Sequence, residues 1–203
     1  LIDTISGNKT LVSFNKTFST DFPTYNTIGD GSPASGLGLT ELGGYFLTGG
    51  AANIYQHTSE PYSWSVWAKQ ETQSDGHMIW LSEGNPSNLW ARMDNTAIQW
   101  FCYGLPLTSS VTADVDTWFF IAGSFDGNTC TLYVAEAGNS LAINSITKGT
   151  TDGPSADLTL AGWLTGNPPF ALQGNIDDFT LYNGIMSENN FTRVFNEGIT
   201  AFT

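Results

Sequence analysis

Trp118-Phe-Phe-Ile-Ala-Gly-Ser-Phe-Asp-Gly-Asn-Thr-Cys-Thr-Leu-Tyr-Val134 decides the fold. Two alternating runs, rich in aromatic and β-branched residues, flank Asp126-Gly127-Asn128. Asp-Gly between such runs is the strongest short-range signal of a β-hairpin. The same alternation marks Tyr62–Lys69, His77–Ser82, Leu89–Met93 and Ala97–Tyr103 upstream. Turn clusters separate these runs at Glu83-Gly-Asn-Pro-Ser87 and Asp94-Asn-Thr96. Strands at a spacing of roughly 8–12 residues predict an antiparallel sandwich rather than an α/β fold. Further strands fit Tyr45–Leu47, Ile54–Gln56, Leu158–Ala161 and Asn175–Tyr182. One helix is predicted, from Ser187 to about Asn196. Ser187 suits an N-cap, and Phe191, Val194 and Phe195 fall at helical spacing.

The 203 residues fit one β-sandwich better than two small domains, and 40% hydrophobic content supplies a core. Charged residues make up 12%, about half the usual share. Six Lys+Arg against 19 Asp+Glu leave a net charge of −13. That balance argues against nucleic acid or an anionic membrane surface as partner, because phosphate binding needs basic patches. No apolar run approaches the roughly 18 residues of a membrane span, so no membrane insertion is expected. Acidity, scarce Lys and abundant Gly, Ser, Thr and Asn point to an extracellular or virion-surface protein. Asn8, Asn15 and Asn190 head glycosylation sequons of a kind that Asn- and Thr-rich chains also produce by chance. Leu1 in place of Met reads as a processed product or an excised piece. Residues 1–40 lack Trp and carry only short apolar alternations. They read as an arm or edge-strand region ahead of a main domain over 41–203.

From residue 44 to residue 197 the order of motifs resembles the laminin G-like jelly roll of the concanavalin A-like lectin/glucanase superfamily. Gly44-Tyr-Phe-Leu-Thr-Gly-Gly50 is similar to that family's opening strand and turn, and Tyr62-Ser-Trp-Ser-Val-Trp-Ala-Lys69 to its Trp-containing strand. Met78-Ile-Trp-Leu-Ser-Glu-Gly84 follows, then the central hairpin quoted above. Gly174-Asn-Ile-Asp-Asp-Phe-Thr-Leu-Tyr-Asn183 with Ile185-Met-Ser-Glu188 resembles its last strand and short helix. The resemblance implies an all-β jelly-roll sandwich of two antiparallel sheets, one concave, with one short C-terminal helix. It implies no activity, since such domains bind glycans or proteins, accompany catalytic modules or serve as structural surface modules.

It also implies a possible structural Ca²⁺, an ion that takes hard oxygen ligands, at the acidic position of the last strand. Asp177 or Asp178 matches that position, with further ligands expected from the first 40 residues, Asp21 or Asp30.

Chemistry is sparse. Glycan cleavage needs two carboxylates converging on one bond. Here Glu60, Glu71 and Glu83 sit near strand ends, and no Glu-x-Asp-x-x-Glu pattern occurs. Asp177 and Asp178 are adjacent in a strand, so their side chains are expected on opposite faces. His57 and His77, the 2 histidines, lack an HExxH or triad context. No GxGxxG or Walker sequence is present. The chain is therefore expected to be no enzyme.

Strand alternation gathers one surface. Trp64, Val66 and Ala68 face the core, as do Ile79 and Leu81, then Leu89, Ala91 and Met93, and Ile98. The opposite parity turns Trp67, Trp80, Trp90, Arg92 and Gln99 outward, with Tyr103 on the polar side. If the strands are neighbours, these side chains form one aromatic-polar patch. Sugar rings stack their C–H faces on Trp while Arg and Gln hydrogen-bond hydroxyls. Three readings stay open: a glycan site, a contact with a subunit or the arm, or plain core from a misread parity.

The 2 cysteines are too few for a disulfide scaffold. If residues 98–103, 118–125 and 129–135 form a meander, Cys102 and Cys130 lie two strands apart, roughly 9–10 Å. A disulfide needs Cα atoms about 4.4–6.8 Å apart, so both are expected as free thiols, with Cys130 buried beside Leu132 and Val134. Function reads as a non-catalytic, lectin-like or adhesive binding module whose partner is a glycan or surface protein. The alternative is a structural subunit of an extracellular or virion fibre, a homo-oligomer assembled through the arm.

Overall fold

The computed structural model describes residues 37–39, 45–47, 61–73, 76–82, 89–148, 158–160 and 172–199. Strands β1 (Leu37–Leu39), β12 (Gly174–Asn183), β3 (Tyr62–Gln70), β8 (Phe119–Phe125), β9 (Thr129–Glu136) and β10 (Ala142–Thr147) form one sheet in that order. The other sheet runs β2 (Tyr45–Leu47), β11 (Leu158–Leu160), β4 (His77–Ser82), β5 (Leu89–Asp94), β6 (Ala97–Cys102) and β7 (Leu105–Thr112). All pairings are antiparallel. This is the jelly-roll sandwich that the alternation and the family resemblance imply. β8 and β9 form the expected hairpin: Asp126 Oδ1 accepts the amides of Asn128 (2.8 Å) and Thr129 (2.7 Å), and Gly127 supplies φ of 100°.

The core between the sheets is built on three tryptophans. The ring of Trp64 meets Trp80 at 5.3 Å and Trp100 at 5.6 Å, both edge to face, an arrangement the ring quadrupoles favour. Gly123 lies opposite Trp64 in the β3–β8 register because a Cβ there would run into the rings of Trp64 and Trp100.

Cys102 and Cys130 correct the sequence expectation: they form a disulfide, with Cα atoms 6.5 Å apart. β6 and β9 belong to different sheets, so the meander assumed for them does not exist. The bond crosses the sandwich and lies wholly buried in its core.

The helix α1 (Glu188–Ile199) packs on the outer face of the first sheet. Ser187 caps it, its Oγ accepting the Asn190 amide at 3.3 Å and its carbonyl the Phe191 amide at 3.0 Å. Phe191 and Phe195 are buried against Trp67, Phe120 and Tyr133. Ser63 Oγ donates to Gly184 O and accepts the Met186 amide, tying the turn before the helix to β3. Ile54–Gln56, His57, Glu60, Glu83, Asp21, Asp30, Asn8 and Asn15 lie outside the described residues, as does the arm up to residue 36. Residues 37–39 form the edge strand of the first sheet.

Candidate functional site

On the outer face of the second sheet, β5, β6 and β7 pair in unbroken register over two rows, the β6–β7 register slipping only between Ala97 and Gln99. Trp90 pairs with Phe101, which pairs with Pro106; Arg92 pairs with Gln99, which pairs with Thr108. Successive residues of a strand point to opposite faces. With Leu89, Ala91, Met93, Ile98, Trp100 and Leu107 in the core, these two rows face away from it. Trp90, Arg92, Gln99 and Phe101 are half-buried, and Pro106 and Thr108 exposed.

One row is an apolar strip. The Trp90 and Phe101 rings stack at 4.9 Å with planes 10° apart, and Pro106 extends them by one strand. Beside it runs a hydrogen-bonded row. Arg92 Nε donates to Gln99 Oε1 at 3.0 Å, and Gln99 Nε2 donates to Thr108 Oγ1 at 3.3 Å. Arg92 Nη2 pairs with Asp94 Oδ2 at 2.6 Å, and its guanidinium carbon lies 4.6 Å from the Trp90 ring centre. These contacts hold the long Arg92 side chain in one place, the preorganisation a binding surface needs.

The hairpin bearing these rows is anchored to the far sheet. Gln70, buried at the end of β3, donates from Nε2 to Asn95 O (2.9 Å) and Ala113 O (2.8 Å). Asn95 makes the β5–β6 turn at φ of 53°, a left-handed conformation that Asn tolerates. The platform therefore cannot slide against the core without breaking buried hydrogen bonds.

Of the five side chains expected to share one surface, Trp90, Arg92 and Gln99 come together. Trp67 and Trp80 do not. Trp80 is fully buried in the intersheet core, because β4 slips register against β5 between Met78 and Trp80 and the bulge at Ile79 leaves Ile79 and Trp80 both facing inward. Trp67 does face away from that core, yet α1 covers it: Phe195 stacks on it at 5.6 Å. A Cβ on Gly198 would stand 2.5 Å from its Nε1. Tyr103, expected on the polar side, is buried, since φ of 46° just past β6 swings it into the core. Burial raises its phenol to about 12. Phe101 is the member that sequence reading passed over. Its alternation with Ile98, Trp100 and Cys102 carried the signal.

A second concavity, a cleft of about 320 Å³, lies between α1 and the first sheet, bordered by Trp67, Asp178, Tyr182 and Glu197. Asp177 and Asp178 do not simply alternate as expected. The β12–β3 register shifts after Asp177, and Asp178 takes φ of 48°. Asp177 is buried, with Oδ1 accepting the Asp178 amide at 2.8 Å. Among the described residues no group of three or more His, Cys, Asp or Glu gathers to hold a metal. Two carboxylates fall short of the six to eight oxygens calcium takes, so Asp177 and Asp178 fit only as part of a set completed elsewhere. His77 is buried with Nδ1 unpartnered, and burial lowers its pKa from 6.5. No helix among the described residues is long and apolar enough to cross a membrane.

Residues 43–190 match a laminin G family model, described as the concanavalin A-like lectin/glucanases superfamily. No curated protein sequence matches the chain. Among solved structures, the CBM40 of Ruminococcus gnavus IT-sialidase, bound to α2,3-sialyllactose, superposes with a TM-score of 0.60 at 14% identity, covering 79% of this chain and 95% of that one. Domain 4 of AbnA, a GH43 extracellular arabinanase from Geobacillus stearothermophilus in complex with arabinotriose, gives 0.59 at 19% identity over 91% and 87%. A Trypanosoma rangeli sialidase gives 0.59 at 13% identity, covering 79% of this chain but 27% of that one. At these identities the likeness is one of fold.

Proposed function

This chain belongs to the concanavalin A-like lectin/glucanase superfamily, and on that premise we propose that it is a non-catalytic module binding a glycan on the open β5–β7 face. The carrying observation is the register that sets the Trp90–Phe101–Pro106 strip beside the Arg92–Gln99–Thr108 row. Apolar ring surface next to fixed donors and acceptors matches a sugar, which offers a C–H face and hydroxyls within one ring. Two structural neighbours support the class: a CBM40 bound to sialyllactose and an arabinanase domain bound to arabinotriose.

An extracellular setting belongs to the same reading. The Cys102–Cys130 disulfide supports it, because such bonds persist in oxidising compartments, and so does the neighbouring domain of an extracellular arabinanase. A structural Ca²⁺ with Asp177 and Asp178 among its ligands also belongs to it, supported by the burial of the Asp177 carboxylate.

Affinity electrophoresis through gels containing soluble polysaccharides tests the proposal. At least one polysaccharide is expected to retard the parent chain while Trp90→Ala and Phe101→Ala run as in a sugar-free gel, and no reducing ends are released. Equal retardation of all three proteins would place binding elsewhere.

A further inference from the structure

Arg92 is the one cation on the proposed face among the described residues. Lys69 lies over Trp118 on the first sheet, Lys148 over the rings of Tyr103 and Phe125, and Arg193 beside Glu197 on α1. The Nε–Nη2 edge of Arg92 is also taken, and its charge is paired. Asp94 holds Nη2 at 2.6 Å, Gln99 holds Nε at 3.0 Å, and the guanidinium lies over Trp90. A ligand carboxylate binds Arg best through two parallel N–H bonds and a free positive charge. Here a carboxylate of the protein already neutralises that charge. The chain as a whole carries a net charge of −13, which adds to the bias against anionic ligands at low salt.

We infer that the β5–β7 face selects uncharged glycans, and that Asp94 is the specificity-determining residue that keeps carboxylate-bearing sugars off Arg92. The inference rests on the glycan-binding reading and names the class of sugar. Neutral rings need only what the face offers: the Trp90–Phe101 strip for stacking, and Gln99 and Thr108 for hydroxyls. Two strand spacings, roughly 9–10 Å, separate Trp90 from Pro106, so the strip runs across the strands and suits an oligosaccharide lying the same way.

The test is a glycan array probed with the full chain, carrying neutral oligosaccharides (arabinotriose and lactose among them) and acidic ones (sialyllactose and oligogalacturonate). Signal is expected on neutral glycans alone, level as salt rises from about 0.05 to 0.5 M, a range over which exposed charges become screened. Asp94→Asn, which releases the Arg92 charge, is expected to raise the ratio of acidic to neutral glycan signal several-fold. Acidic glycans bound in preference by the parent chain would overturn the selectivity and leave the glycan reading intact. So would an Asp94→Asn protein that folds and shows the parent's ratio of acidic to neutral signal. A blank array would overturn both.

Discussion

Opening the Cys102–Cys130 bond is the perturbation whose size the structure sets most directly. The two residues are 28 apart in sequence, and closing a loop of that length removes chain entropy worth about 3.5 kcal/mol from the unfolded state. In a chain of this size each ~1 kcal/mol moves the melting temperature by roughly 2–4 °C, so a fall of roughly 7–14 °C is expected. Cys102→Ala, Cys130→Ala and the double variant open the same loop, so their losses are expected to coincide rather than add. The buried sulfurs removed contribute a smaller cavity cost in the same direction. Thermal unfolding followed by circular dichroism, without reductant, reads the effect. Two results would contradict this: a fall below about 2 °C, or a parent chain that exposes two titratable thiols when unfolded without reductant. The second would also mean that β6 and β9 do not face each other across the sandwich.

Trp80→Ala is expected to cost roughly 3–5 kcal/mol, as Trp64→Ala does, because both rings lie fully inside the core. Trp90→Ala is expected to fold with little loss, and chemical denaturation compares the three. His77 has a folded-state pKa below the 6.5 it regains when unfolded, so protons favour the unfolded chain. Its stabilising contribution is complete above pH 6.5 and declines as the pH falls from there toward the lowered pKa. Melting temperatures across pH 7 to 5 are expected to fall more steeply for the parent than for His77→Gln, and parallel slopes would contradict this. For the proposed calcium site, chelator is expected to lower the parent melting temperature and to leave Asp177→Ala unmoved, by mass action on the folded state alone. An unchanged parent would mean that no calcium ion stabilises the fold there.

Much of the fold was legible because a half-buried strand writes its period into the sequence. The central strands and α1 lie where alternation and capping put them. β7 and β10 escaped notice. Leu-Pro-Leu-Thr-Ser-Ser-Val-Thr and Ala-Ile-Asn-Ser-Ile-Thr are edge strands, each flanked by one neighbour and partly polar on both faces. Period also assigns a face without assigning a sheet. That is why Cys102 and Cys130 read as two strands apart when they oppose each other across the sandwich. Trp90, Arg92 and Gln99 share one outer face for the same reason, because they obey strict alternation. Trp80 fails because a bulge inserts one residue before it, and a bulge has no period. Trp67 obeys alternation but is roofed by Phe195, whose own helical spacing showed an apolar stripe without showing where it would dock.

A ¹⁵N–¹H correlation titration of the full chain with arabinotriose, or with the best-bound oligosaccharide of the array, tests the glycan-face claim most directly. Saturable shifts are expected, centred on the amides of Trp90, Arg92, Gln99, Phe101 and Thr108 and on the Trp90 indole N–H, with α1 and the cleft it borders unmoved. Shifts centred on Trp67, Tyr182 and α1 would contradict it and move the binding site to the opposite face of the sandwich.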